Sequence, residues 1–272
     1  MKVRSTTILT AILAGTLITM TSMPALAADK PTDLSAADII KQAAQKYANL
    51  TSYSDEGATA ATLGKITAAS YTFTIKLART NRYQICWWEP DNIYIPKGVV
   101  WSADDGNHLW MGGDFTPRKC ADREMALASA TGISGGVAAS IPGTFFKMNW
   151  GNQLGASTAA AKRQADEKVG DIDCFVLSHG EGGRTNTLWI GKSDFLIHQI
   201  ENDTSAALLK KTLEDQAKTN PQLRSVLDSS GTQMFQDSKS IEIHRNIKLN
   251  PSLTAKDFDF HVPAGQNTNP TK

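Results

Sequence analysis

The residues predict a mainly β (α+β) chain. The expected architecture is a single, strongly curved antiparallel sheet, an unclosed β half-barrel, with an N-terminal helix and a helical cover over an apolar cavity. Three observations point there: apolar–polar alternation of period two recurs along the 272 residues, turn residues separate neighbouring runs, and helical spacing is confined to a few stretches. Strands that pair with their sequence neighbours build one curved sheet more readily than two domains.

The first residues set the compartment. Lys2 and Arg4 precede an uncharged apolar run at 8–18, and Ala25, Leu26 and Ala27 form a small-residue cleavage site. That order predicts a signal peptide over 1–27, cut after Ala27, followed by a domain over 28–265 and a polar tail over 266–272, with export to the periplasm. The apolar run is shorter than the roughly 20 residues a membrane-spanning helix needs. Losing Lys2 and Arg4 moves the formal charge from +1 to −1, so no basic surface for nucleic acid is expected.

The first helix is expected from Ser35, an N-cap residue, to about Asn49, with Ile39, Ala43, Tyr47 and Leu50 on one stripe. Alternation begins at Tyr53 and is clearest over 70–78, where Tyr71, Phe73, Ile75 and Leu77 share a face. Further strands are expected at 82–89, 99–103 and 107–112, the last two joined by a turn at Asp104-Asp105-Gly106. Residues 121–141 are rich in alanine and small residues and suit a movable cover ended by Pro142-Gly143. Strands return at 161–169, 172–180, 185–191 and 195–203, then a helical insertion at 206–228 interrupted by Pro221, then a last strand at 240–249. Such a sheet either fills its inner face with its own side chains or leaves that face to a ligand.

Catalytic motifs are few. Gly132-Ile133-Ser134-Gly135-Gly136 fits the G-x-S-x-G elbow of serine hydrolases, but the alanine-rich residues before Ser134 read as helix where the elbow requires a strand. The five histidines are scattered, as surface or strand-end residues, and no metal site or cofactor loop is expected. Three cysteines in an oxidising compartment allow one internal bridge; Cys86 with Cys120 is the candidate pair, and three free thiols the alternative.

Several segments, in one order, resemble the LolA-like outer-membrane lipoprotein carriers. They are the opening ADIIKQAAQKYANLTSYS, the junction Arg79-Thr80-Asn81-Arg82-Tyr83, the hairpin Asp105-Gly106-Asn107-His108-Leu109-Trp110, Ile197-His198-Gln199, and Lys256-Asp257-Phe258-Asp259-Phe260 before Val262-Pro263. The resemblance implies a non-catalytic periplasmic carrier, without cofactor, that shelters lipoprotein acyl chains or another lipid and meets a membrane-protein donor or acceptor. It implies that Arg79 ties the cover down and gates it. Tyr71, Phe73, Ile75, Leu77, Ile85 and Trp87 are the expected ligand-facing residues, with Trp88 replacing Trp87 if that strand's face is inverted. The long middle segment and the 206–228 insertion depart from a minimal carrier. A sensor of RseB type, sharing the sheet, is the second reading, and a hydrolase at Ser134 the third.

Overall fold

Alternation in the chain becomes twelve strands in one antiparallel sheet, seen in a computed structural model that describes residues 34–263 except 80, 93, 115, 156, 157, 159 and 231–234. The expected leader at 1–27 and the expected tail at 266–272 lie outside the described residues. Helix α1 (Ala36–Ala48) is followed by β1 (Ser52–Leu63), β2 (Ile66–Ala78), β3 (Arg82–Trp88), β4 (Gly98–Ala103), β5 (Gly106–Met111) and β6 (Arg118–Cys120). Helices α2 (Arg123–Thr131) and α3 (Ser140–Phe146) come next. Then follow β7 (Lys162–Arg163), β8 (Glu167–Val169), β9 (Ile172–Glu181), β10 (Arg184–Gly191) and β11 (Ile197–Thr204). Helices α4 (Ala206–Ala217) and α5 (Pro221–Ser230) precede β12 (Ser238–Leu249).

The strand order is β6-β5-β4-β3-β2-β1-β12-β11-β10-β9-β7, with β8 pairing β9 off that path. The sheet does not close, which fits a curved half-barrel with helices on its inner face. Two meanders therefore meet where β1 pairs β12.

Ser35 caps α1 as its sequence suggested, accepting a hydrogen bond from Asp38 N at 3.2 Å. Ile39, Ala43 and Tyr47 face the sheet and are buried. On β2 and β3 the inner set is Phe73, Ile75, Leu77, Tyr83, Ile85 and Trp87, while Cys86 and Trp88 face the other side. Glycines make room for the largest inner rings. A Cβ on Gly57 would lie 2.4 Å from Phe73 Cζ, and one on Gly98 would lie 2.1 Å from Trp87 Cζ2. The opposite face of β3–β5 is closed by the end of the chain. Phe260 stands edge-on to Trp101 at 5.1 Å and 5.4 Å from Trp110.

Four expectations are corrected. The run 161–169 is two short strands rather than one. Pro142-Gly143 does not end the cover but sits inside α3, where proline falls in the first turn and its missing N–H costs nothing. His244 is buried in mid-strand instead of lying at the surface or at a strand end, while His198 does lie at the start of β11 but is buried there. The Cys86–Cys120 bridge is not made. Cys86 lies on the outer face with Val99, Trp101 and Trp110, Cys120 lies in the inner cluster, and both are free thiols like Cys174.

Candidate functional site

The inner face is the candidate site, and the structure places the cover's own side chains where the sequence suggested a hollow. Phe73, Ile75, Leu77, Ile85 and Trp87 are buried in one cluster with Ile39 and Tyr47 of α1, Ala126, Leu127 and Ala130 of α2, and Ile141 and Phe145 of α3. Val137 and Ala138, between the two cover helices, belong to the same cluster. Tyr71 is half-buried at its margin. The structure thus brings the six expected ligand-facing residues to one face, with Trp87 inward and Trp88 outward.

Open hollows lie elsewhere. One of about 400 Å³ is bordered by Glu56, Thr72, Thr74, Trp88 and Arg245; another of about 590 Å³ lies among Thr62, Gly64, Gly183, Asp203 and Lys239. Of the six, only Phe73 touches either, beside Gly57. Among the described residues the inner face is covered by α1, α2 and α3.

Two polar assemblies hold the cover. The first grows from the β2–β3 turn, where Asn81 takes a left-handed backbone (φ 67°), a conformation asparagine tolerates. Arg79 Nε donates to Leu50 O at 3.0 Å and Nη2 to Tyr47 O at 2.6 Å, both carbonyls at the end of α1. Its Nη1 donates to Phe145 O at the end of α3, and the guanidinium lies 4.1 Å over the Phe145 ring. Helix C-termini carry unpaired carbonyls and partial negative charge, so one cation ends two helices here. Burial pulls this guanidinium's pKa below its ordinary value, yet arginine remains charged at neutral pH. From the same turn Asn81 Oδ1 accepts from Arg123 Nη1 of α2, whose guanidinium stacks 4.3 Å over Phe146. Arg79 and Asn81 therefore bind α1, α2 and α3 together.

The second assembly was not foreseen. The β1–β12 register shifts between Ser54 and Glu56, and Asn246 adopts φ 50°, so β12 carries one residue more than β1 there. That extra residue turns Glu242 and His244 inward and Ile241 and Ile243 outward, against plain alternation. His244 Nδ1 lies 2.7 Å from Asp55 Oδ2, which also accepts from Tyr53 OH at 2.6 Å. His244 Nε2 is 3.0 Å from Glu242 Oε1, an ion-pair contact off the hydrogen-bond axis. Ser140 Oγ, at the start of α3, donates to the same Glu242 oxygen. Burial alone would push His244 down, but the charge and hydrogen bond of Asp55, then Glu242, hold its pKa up at about 10.

Ser134 is fully buried, and its hydroxyl is spent locally, donating to Thr131 O and accepting from Ala138 N, each at 3.2 Å. It follows helix α2 rather than a strand, so the elbow context is absent. Ser140 and His244 each face Glu242 and not each other, which is no nucleophile–base pair. Among the described residues no group of three or more His, Cys, Asp or Glu side chains could hold a metal ion. No described helix is long and apolar enough to cross a membrane.

No family model matches the sequence, and no curated protein does. Solved structures do show likenesses. A LolA superfamily protein, NE2245 of Nitrosomonas europaea, is 12% identical over 84% of this chain and 98% of its own, with TM-score 0.34. LprF of Mycobacterium bovis is 10% identical over 81% and 95%, with TM-score 0.45. A DUF1329 family protein of Desulfovibrio piger is 11% identical over 82% and 95%, with TM-score 0.36. The LolA superfamily, which the sequence resembles, is thus among the likenesses.

Proposed function

We propose that this chain is a non-catalytic periplasmic carrier that buries an acyl chain of a lipoprotein, or another apolar ligand, by exchanging it for its own cover. The observation that carries this reading is the pairing of a large aromatic and aliphatic inner face with a short two-helix cover held at discrete polar points. The cover seats Leu127, Ile141 and Phe145 among small side chains such as Ala126, Ala130 and Ala138, and the break between α2 and α3 lets the segment lift in two pieces. A lipid chain replacing it recovers burial worth about 25 cal/mol per Å² of apolar surface. Arg79 serves as the gate, since its three carbonyl partners belong to the helix ends that must part.

The exposed α4–α5 insertion favours a second reading. A sensor of RseB type would use the same interior and present that hairpin to a protein partner.

The test is gel filtration of the full chain with a triacylated lipopeptide, followed by hydrogen exchange. The lipopeptide should co-elute, and amides over 123–146 should exchange faster in the complex while β2 and β3 stay protected. Absence of co-elution discards the carrier; co-elution with unchanged exchange over 123–146 discards the movable cover.

A further inference from the structure

A buried polar cluster lies beneath α3. It joins three separate elements: Tyr53 and Asp55 from β1, Glu242 and His244 from β12, and Ser140 from α3. Phe73 of β2 closes it on one side, its ring 5.4 Å from the imidazole. The loop leading into α3 forms the roof. Thr59 Oγ1 donates to Gly135 O at 3.2 Å, and Gly136 sits above the Glu242 carboxylate. Buried charges are costly unless paired, and here an imidazole stands between two carboxylates that have no other cationic partner among the described residues. Asp55 Oδ1 finds no hydrogen-bond partner in the protein, so the closed arrangement leaves part of the cluster unsatisfied.

Resting on the carrier reading above, we infer that Asp55, His244, Glu242 and Ser140 form a second latch on the cover, and that lifting the cover lets His244 pass a proton to solvent. Loading and proton release are then linked. Lifting α3 removes Ser140 from Glu242 and admits water to a site where His244 is now buried. Hydration weakens the attraction of both carboxylates, and the imidazole moves toward its ordinary value near 6.5. The proton leaves as hydronium or to buffer, and no other group need change.

The sign follows from the closed-state pKa of about 10. A group raised on closing stabilises the closed form fully below about pH 6.5, and that contribution is lost as pH rises through about 10. Between those limits opening sheds a proton, so ligand affinity rises with pH. Full release gives up to about tenfold per pH unit.

The experiment measures binding of a triacylated lipopeptide to the full chain from about pH 7 to about pH 9, with binding heats compared in phosphate and Tris at one pH. Wild type should bind more tightly as pH rises and show a buffer-dependent heat; the charge-free triple variant Asp55→Asn/Glu242→Gln/His244→Gln, which leaves no unpaired buried carboxylate, should show neither. Equal pH slopes in both proteins overturn the latch while the carrier reading stands. If the lipopeptide does not bind at all, the carrier reading fails, and proteolysis over 131–147 decides the latch. Relative to an unstructured control peptide, cleavage should accelerate with pH in wild type and stay flat in the triple variant; the same response in both overturns it. Should the triple variant not fold, Ser140→Ala keeps every charge and should speed cleavage over 131–147 severalfold, and an unchanged rate sinks the proposal.

Discussion

Two helical insertions interrupt the sheet, α2–α3 after β6 and α4–α5 after β11, and they differ in what holds them. The α2–α3 segment buries Ala126, Leu127, Ala130, Val137, Ala138, Ile141 and Phe145, and its ends are tied by Arg79, Arg123 and Ser140. In α4 only Ala217 is buried. That hairpin relies on local devices: Ser205 accepting from Leu208 N, Asn220 Oδ1 accepting from Gln222 N and Leu223 N, and exposed pairs such as Lys210 with Glu214. The contrast teaches that stripe strength does not choose which helix docks. Leu208, Leu209 and Leu213 make α4 look the better core helix, yet the alanine-rich segment is inside, where Arg79 and Asn81 of the β2–β3 turn and Glu242 of β12 bind its helices.

The comparison can be broken from either side. The largest effect is expected from Phe145→Ala, which removes a fully buried ring from the cover and leaves Arg79 without its aromatic seat. It should cost about 3–5 kcal/mol in urea unfolding; a loss under about 1 kcal/mol would show that the cover contributes little to the fold. Arg79→Leu comes next. It strips the partners from carbonyls of Tyr47, Leu50 and Phe145 and should cost about 2–3 kcal/mol. In stopped-flow measurements with the lipopeptide it should change release more than uptake; equal changes in the two rates would discard the gate. Replacing 206–230 by a short flexible link should be the mildest change, shifting stability by no more than about 1 kcal/mol because loop closure depends weakly on length. A loss as large as that of Phe145→Ala would mean the two insertions are not different in kind.

Much of this was legible in the residues, for reasons that can be named. Ser35 announced α1 because an N-cap hydroxyl satisfies an otherwise orphaned amide. The face of β2 and β3, including Trp87 over Trp88, followed from strict alternation without a bulge between them. The Arg79–Tyr83 junction, singled out by the family resemblance, is the turn from which Arg79 and Asn81 reach α3 and α2. The latch at His244 stayed hidden because SIEIHRNIKL reads as Ile241, Ile243 inward, and a single extra residue near Asn246 reverses that face. Strand β6 escaped notice because Arg118–Cys120 is too short for a period. The Cys86–Cys120 pairing failed for a related reason: separation along a chain says nothing about which side of a sheet a thiol faces.

The seam between β1 and β12 has one more consequence. Residues 53 and 249 are partners there, so the midline of the sheet joins the first described strand to the last. A chain growing from its N-terminus can form the meander β1–β6, and later β9–β11, by neighbour pairing, but these halves have no common border until β12, whose pairing with β1 begins at Ser238, has been made. Closing such a distant contact is slow, in the range of milliseconds to seconds for β-rich topologies. Until then Asp55 waits, unpaired, for a histidine encoded 189 positions downstream, so the final zipping of the two halves is also the moment at which that carboxylate acquires its counter-ion.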